Sequence, residues 1–446
     1  IAYYDKAGKD RRVLILDEQG RIKEHEIQGD GYTIEIFRHE KDLLTRFINV
    51  FAQIQPTVIT GWNTDGYDVP YLLGRCKKVL GAQAIKKFSP AGIVEQGRTG
   101  KWKILGVSSL DYIKLYKNFT YTELPNYRLD TVGKTELRKG KIEYDGDLNE
   151  LFATDIHKFI EYNIRDVEII EALEEKQKFI ELTILISHLC HTPYESIYYN
   201  TILNEGAILT YLKRKGIIAP NKPTTTNHTI KELELGDHVV HQRGTSTIEG
   251  TVYSFEKDNI VVKTMAGKYV NRYPKSIRKK DSYAGGYLLD PIPGLYSDVS
   301  DLDFTSLYPS IIKSLNLGVE TLIGRIVTKD NYEQYNSLEQ LKKLDPEEKL
   351  HIQKLVKRSY TLKDATIAAG ALIKLIEDNN WTISASGAFY RTDQKSIACE
   401  VLEDWFNQRE HYRALKKKAG KKEDWANYKL YDLYQMAFKI LQNFVV

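Results

Sequence analysis

The stretch that decides how this chain is read is Asp301-Leu302-Asp303-Phe304-Thr305-Ser306-Leu307-Tyr308-Pro309-Ser310-Ile311-Ile312. Val299 to Phe304 predicts a buried strand that delivers Asp303 to its end, after which Ser306, Tyr308 and Pro309 turn the chain. A lone strand-end aspartate is commonly a cap or turn residue, because its short carboxylate accepts from nearby backbone N–H groups. The segments on either side supply a second reading.

Downstream, Leu338 to Asp378 predicts a mostly helical region, and Lys395 to Val446 predicts two long helices joined near Ala419-Gly420. The first of these carries Asn407 to Arg413 (NQREHYR), in which Arg409 and Arg413 are four apart and share a face. The second carries Lys439 and Asn443, again four apart, in FKILQN. Arg409, Arg413, Lys416, Lys417, Lys418, Lys421 and Lys422 make a basic run, which by itself reads as a solvated face.

Upstream, Pro220 to Asn227 is a linker by composition, and Thr229 to Lys280 breaks into short alternating strands separated by Gly236, Gly244, Gly250 and Gly267. That pattern predicts a small SH3-like barrel, closed by the basic segment Lys275 to Lys280 and followed by Tyr283-Ala284-Gly285-Gly286. Earlier still, strands at Arg12 to Asp17 and Tyr32 to Phe37, a helix at Glu40 to Ile54 ended by Pro56, and a strand at Thr57 to Thr60 predict an α/β domain. The loop after that last strand holds Asn63 and Asp68 (VITGWNTDGYDVPY). A long helical stretch from Asp155 to about Leu189 holds Tyr162 and Asp166, one turn apart (YNIRD).

Asp303 to Ser310 resembles motif A of replicative family B DNA polymerases, matching in register over the whole string. The resemblance implies that Asp303 and the Phe304 carbonyl hold Mg2+ in a two-metal phosphoryl transfer, with Asp303 catalytic. It also implies that the backbone of Ser306 and Leu307 cradles a triphosphate, while Tyr308, as a buried ring, excludes a ribose 2′-hydroxyl. The two C-terminal helices resemble the family's fingers, so that Arg409, Arg413 and Lys439 contact the incoming deoxynucleoside triphosphate and Asn443 helps hold the site. There the match stops: Phe444-Val445-Val446 stand where the family continues Ser-x-Tyr-Gly.

Asn63, Asp68, Tyr162 and Asp166 resemble the second and third motifs of the RNase H-like 3′–5′ proofreading exonuclease. Asp68 and Asp166 would be metal ligands, Tyr162 would orient the attacking water, and Asn63 would touch DNA. Tyr283, Gly285 and Gly286 are similar to the Tyr-x-Gly-Gly segment that contacts template. The overall cast is closest to polymerases of tailed bacteriophages, and the barrel region is the main departure from it. The basic tail of that insert suggests phosphate contacts with duplex or template DNA.

The fold expected is therefore multidomain α/β: exonuclease domain at 1–178, helical connection at 179–223, barrel insert at 224–281, first part of the palm at 282–395 and fingers at 396–446. Partners implied by the resemblance are primer–template DNA, deoxynucleoside triphosphates and a sliding clamp reached through a C-terminal tail. The start at Ile1, the uncapped helix at the end, and the lack of both an Asp-x-Glu pair near Ile1 to Asp17 and an Asp-Thr-Asp after the fingers predict a fragment inactive in polymerisation; Tyr144-Asp145-Gly146-Asp147 lies too far upstream to serve. Two other readings stay open, a stand-alone 3′–5′ exonuclease and the N-terminal half of a split polymerase.

Composition agrees without deciding. Hydrophobic residues make up 42% and charged residues 28% of the 446, so this is globular protein with several cores, and the formal net charge of only +4 does not announce a nucleic-acid binder. Cys76, Cys190 and Cys399 fit no disulfide framework, and His188, Cys190 and His191 lack a second ligand pair at zinc spacing. A reducing, cytoplasmic setting is expected, that of a host cell if the protein is viral, with no membrane partner because no apolar run reaches the ~18 residues a span needs.

Overall fold

The computed structural model describes residues 1–23, 31–97, 100–120, 123–219, 238–243, 246–256, 259–264, 267–272, 277–279, 292–300, 307–327, 337–356 and 361–444. Packing divides the chain into two units, Ile1–Ile218 with Ser306–Leu350 and Thr366–Val446, and Ala219–Thr305 with His351–Ala365.

The first unit starts with a three-stranded sheet in the order Ala2–Asp5, Asp10–Leu16, Thr33–Phe37, its first pair antiparallel and its second parallel. Val13, Leu14 and Ile15 are buried in succession, as a strand covered on both faces requires. The helix Glu40–Ile54 buries Leu43, Leu44 and Ile48 on one stripe. It stops at Gln55, whose left-handed conformation lets its N–H cap the Phe51 carbonyl just ahead of Pro56. Val58–Gly61 then pairs in parallel with Ser108–Asp111, and the loop after Gly61 opens the candidate site.

The helical stretch expected from Asp155 to Leu189 is two helices, Ile156–Gln177 and Phe179–Cys190, because Lys178 takes a left-handed φ of 59°. Buried Glu174 makes the break hold. Its carboxylate accepts from the N–H groups of Ile180 (3.1 Å) and Glu181 (3.3 Å) and from the Tyr112 hydroxyl (3.1 Å), so it satisfies the orphan donors of the second helix from the end of the first.

Three sequence expectations need correction. Leu307 to Ile312 belongs to the helix Leu307–Leu315 and not to a strand and turn. Pro309 fits there because first-turn N–H groups have no intrahelical partner to lose. Of the strand expected at Val299 to Phe304, Val299 and Ser300 are exposed and in no strand, and the remainder lies outside the described residues. The region from Leu338 to Asp378 is mixed: helices at Leu338–Leu341 and Ala369–Asp378 flank strands at Lys349–Val356 and Thr361–Ala368. Alternating burial of Leu350 and Ile352 against exposed Lys349 and His351 gives the period of two that a strand needs.

The two C-terminal helices are Ile397–Lys421 and Trp425–Phe444, joined one turn later than expected. Gly420 explains the local fit, since a Cβ there would press on the Tyr428 ring at 3.3 Å. Trp405, Ala437, Phe438 and Leu441 enter the same apolar cluster as Leu110, Tyr112, Leu173 and Ile186, so the hairpin is packed on the helices of the N-terminal α/β region.

The second unit contains a five-stranded antiparallel sheet in the order Tyr269–Arg272, Asn259–Thr264, Ser246–Glu256, His238–Arg243, Ile277–Lys279. Val239, Val252, Ile260 and Val262 form its core. Gly250 allows the strands to close, because a Cβ there would lie 2.2 Å from the Lys263 carbonyl oxygen.

Candidate active site

The loop 61–67 is shaped by one buried carboxylate. Asp111, fully buried at the N-terminus of the helix Tyr112–Phe119, accepts from the backbone N–H of Asn63 at 3.0 Å and of Asp65 at 3.3 Å. Asn63 takes a left-handed φ of 66°, which asparagine tolerates, and its side-chain oxygen lies where a Cβ on Gly66 would have to go. Trp62 donates to the Tyr127 carbonyl at 3.1 Å, and Asp65 is held by Lys114 and Ser109, each at 2.7 Å. The result places Asp68 at the first position of the helix Asp68–Leu80, where a carboxylate meets the positive end of the helix dipole.

Tyr162 and Asp166 share a face of the helix Ile156–Gln177, and a residue that no motif singled out joins them. The Lys141 ammonium donates to Asp166 Oδ2 at 2.7 Å and to the Tyr162 hydroxyl oxygen at 2.8 Å. Lys141 is positioned by its own backbone N–H, which donates to Asp130 Oδ1 at 2.8 Å. Tyr144 packs edge-on against Tyr162 with centroids 5.3 Å apart. Nothing in the spacing of Lys139-Gly140-Lys141 ties it to Asp166 some 25 residues later; only the fold does.

Electrostatics mark the same place. Burial raises the Asp68 carboxyl above the usual carboxylate range, and the negative charges of Asp111 and Asp166 raise it further. Burial also raises Asp166, against the pull of Lys141, and leaves its Oδ1 buried without a hydrogen-bond partner. Burial pushes the Lys141 ammonium down, but its bonds to Asp166 and Tyr162 outweigh that and keep it above its ordinary value. Mutually repelling carboxylates with an orphaned oxygen suit a divalent cation, which would relieve both. Among the described residues no three His, Cys, Asp or Glu side chains cluster at ligating distance. Tyr67 and Tyr71, both more than half exposed, stack beside this loop with centroids 5.8 Å apart.

The helical hairpin holds the other candidates. Arg409 is half-buried, its Nη1 donates to the buried Gln442 side chain at 3.3 Å, and its Nε is buried without a partner. Desolvation and the neighbouring Arg413 lower its pKa from the usual value. Among the described residues no carboxylate hydrogen-bonds this guanidinium, although Glu410 is near enough to raise its pKa, so the group could receive an anion. Lys439 and Asn443 lie on the same helix as Gln442, three residues before it and one after it. Arg413 is exposed and pairs with Glu410 at 2.7 Å. Toward the tip, Arg413, Lys416, Lys417, Lys421, Tyr428 and Gln435 line an open cleft.

Leu307 and Tyr308 open the helix Leu307–Leu315, and Tyr308 is 57% exposed, which corrects the expectation of a buried ring. Asp303, Phe304, Ser306, Tyr283, Gly285 and Gly286 lie outside the described residues.

A family model for DNA polymerase family B matches residues 197–445, more than half of the chain, and one for the family's exonuclease domain matches residues 3–132. The chain belongs to DNA polymerase family B. It is 32% identical over 297 residues to the DNA-directed DNA polymerase of Enterobacteria phage T4, covering 65% of this chain and 27% of that protein. It is 27% identical over 366 residues to that of Escherichia phage RB69, covering 76% of this chain and 34% of that one. DNA polymerase 1 of Saccharolobus solfataricus is 26% identical over 71% of this chain and 31% of its own length. The chain thus spans roughly a third of the length of these curated relatives. The structure of the family B DNA polymerase from Pyrobaculum calidifontis shares the fold, with a TM-score of 0.51 at 18% identity over 91% of this chain and 40% of that one. Among the described residues no helix is long and apolar enough to cross a membrane.

Proposed function

We propose that this chain contributes to template-directed DNA synthesis from deoxynucleoside triphosphates and to 3′–5′ removal of mispaired primer ends. The observation that carries the second activity is the convergence of Lys141, Tyr162 and Asp166, with the Asp68 carboxyl within electrostatic reach, in a chain matched by the exonuclease model. The first rests on the underpaired Arg409, bonded to Gln442 on the helix that also carries Lys439 and Asn443, together with the match to motif A at Asp303 to Ser310.

Asp68 and Asp166 would hold Mg2+, and the ion, when bound, supplies a polarised phosphate and an acidified water. The protein's own part follows from the hydrogen bonds. Lys141 donates to the Tyr162 oxygen, so the Tyr162 proton is directed elsewhere and can be given to a water or phosphate oxygen. Burial raises the Tyr162 pKa and keeps that proton in place at neutral pH. Lys141 stays charged and offsets the negative charge gathered between Asp166 and a bound phosphodiester. Asn63 and the stacked Tyr67 and Tyr71 would receive the unpaired 3′ end, since stacking on exposed rings is open to unpaired bases.

The domain assignment is 1–178 exonuclease, 179–223 connection, 224–281 insert, 282–395 palm and 396–446 fingers. The strand order of the insert, a four-strand meander with the fifth strand returning to the first, supports an SH3-like barrel. Asp303 and Phe304 as polymerase metal ligands, Ser306, Leu307, Tyr308 and Arg413 at the triphosphate, and Tyr283, Gly285 and Gly286 on the template belong to the same proposal.

Lys141→Ala tests the exonuclease reading. It should slow single-strand degradation by about 100-fold, the usual scale for a positioned proton-handling group, while leaving DNA affinity within threefold. Degradation at the wild-type rate would remove Lys141 from the site.

A further inference from the structure

Exposed aromatic rings gather on the five-stranded sheet of the second unit, where no part of the proposed chemistry uses them. Tyr253 is 58% exposed, Tyr269 53% and Phe255 40%. Tyr253 and Tyr269 meet edge to face with centroids 4.7 Å apart, and the Lys263 ammonium lies 5.8 Å from the Tyr269 centroid. The cause is a bulge. Val261 opposes Ser254 while Val262 opposes Val252, which leaves Tyr253 as the extra residue, and bulges re-aim side chains in this way. Neither ring belongs to the core that Val239, Val252, Ile260 and Val262 build, so packing does not account for them.

Charge narrows what would cover these rings. Residues 238–279 contain eight Lys and Arg against three Asp and Glu, whereas the whole chain has a surplus of only four. Of the insert's other acidic residues, Glu232, Glu234 and Asp237 precede the first strand and Asp281 follows the last. A net-cationic stretch of sequence, with Lys263 beside open aromatic faces, complements a polyanion that carries free planar groups. Duplex DNA offers the phosphates but keeps its bases stacked inside, so the rings would gain nothing from it; a single strand offers both.

We propose that Tyr253, Tyr269 and Lys263 form a binding site for single-stranded DNA, with bases stacked on the rings and the ammonium against a phosphate. This is separate from the exonuclease and triphosphate sites and is carried by the insert alone.

The test uses the full chain in an Asp166→Asn background that protects the probe from degradation. Affinity for a 5′-labelled oligothymidylate is compared with that for a hairpin duplex, by fluorescence anisotropy. Tyr253→Ala with Tyr269→Ala should weaken oligothymidylate binding about 10- to 50-fold and change duplex binding less than twofold, while the two Tyr→Phe changes keep wild-type affinity. Photocrosslinking an oligonucleotide that carries 5-iodouracil should attach to Tyr253 or Tyr269 even if the alanine variant folds poorly. Unchanged single-strand affinity, an equal loss on the duplex, or crosslinks confined to residues outside the sheet would overturn the proposal. The exonuclease reading, tested through Lys141, would stand in each case.

Discussion

Asp17 shows how single residues set the frame on which the chemistry sits. It is fully buried at the end of the strand Asp10–Leu16, where its Oδ2 accepts from the Ile22 N–H at 2.8 Å and from Arg38 at 2.7 Å. Burial works to raise its carboxyl, but the backbone donors and Arg38 outweigh this and hold it below the usual carboxylate range. A depressed folded-state pKa stabilises the fold above the unfolded-state value near ~3.9 and is lost as pH falls through the folded value. Asp17→Asn should therefore cost about 2 kcal/mol at neutral pH and flatten the acid side of the stability profile below about pH 4. Urea melts at pH 7 and at pH 3.5 check this; an unchanged pH slope would contradict it. At this scale the sequence was legible where residues keep local spacing: Asn63 with Asp68, and Tyr162 with Asp166. Lys141 was not legible, because its partners lie across a loop and a helix. Tyr308 was misjudged because a motif match does not report exposure.

Among elements, the two C-terminal helices were readable from their apolar stripe, and the loop and helix around Asn63 and Asp68 from the strand that precedes them. The strands Lys349–Val356 and Thr361–Ala368 were not. Leu350, Ile352 and Val356 satisfy a two-residue alternation and, from Ile352 to Val356, a helical step as well, so short apolar runs leave the choice to tertiary pairing. The hairpin makes its own prediction. Among the described residues Arg409 has a buried Nε without a partner and bonds only the neutral Gln442, and we propose a triphosphate as the anion that completes it. Arg409→Ala should weaken deoxynucleoside triphosphate binding about 10- to 100-fold, as expected for loss of a charge-assisted contact. Titration with a fluorescent triphosphate analogue reads this directly, and an affinity within twofold of wild type would move the nucleotide site elsewhere.

At the scale of the whole molecule, the apolar cluster from Leu110 to Leu441 ties the helices of the N-terminal α/β region to the C-terminal hairpin, so the two candidate sites stand on one packed unit. The five-stranded sheet has its own small core. Its strands were legible from runs of β-branched residues, but not their boundaries, since Gly250, expected between strands, lies inside Ser246–Glu256; its exposed rings were not legible either, since a bulge decides which way Tyr253 points.

Separate sites on one frame should be separable by mutation. The most direct test is 3′–5′ degradation of a 5′-labelled single strand, measured beside primer extension, in the protein that carries these residues. Asp166→Asn is predicted to cut degradation at least about 100-fold and to leave extension within twofold. Degradation that survives Asp166→Asn at the wild-type rate, or extension lost along with it, would contradict the account.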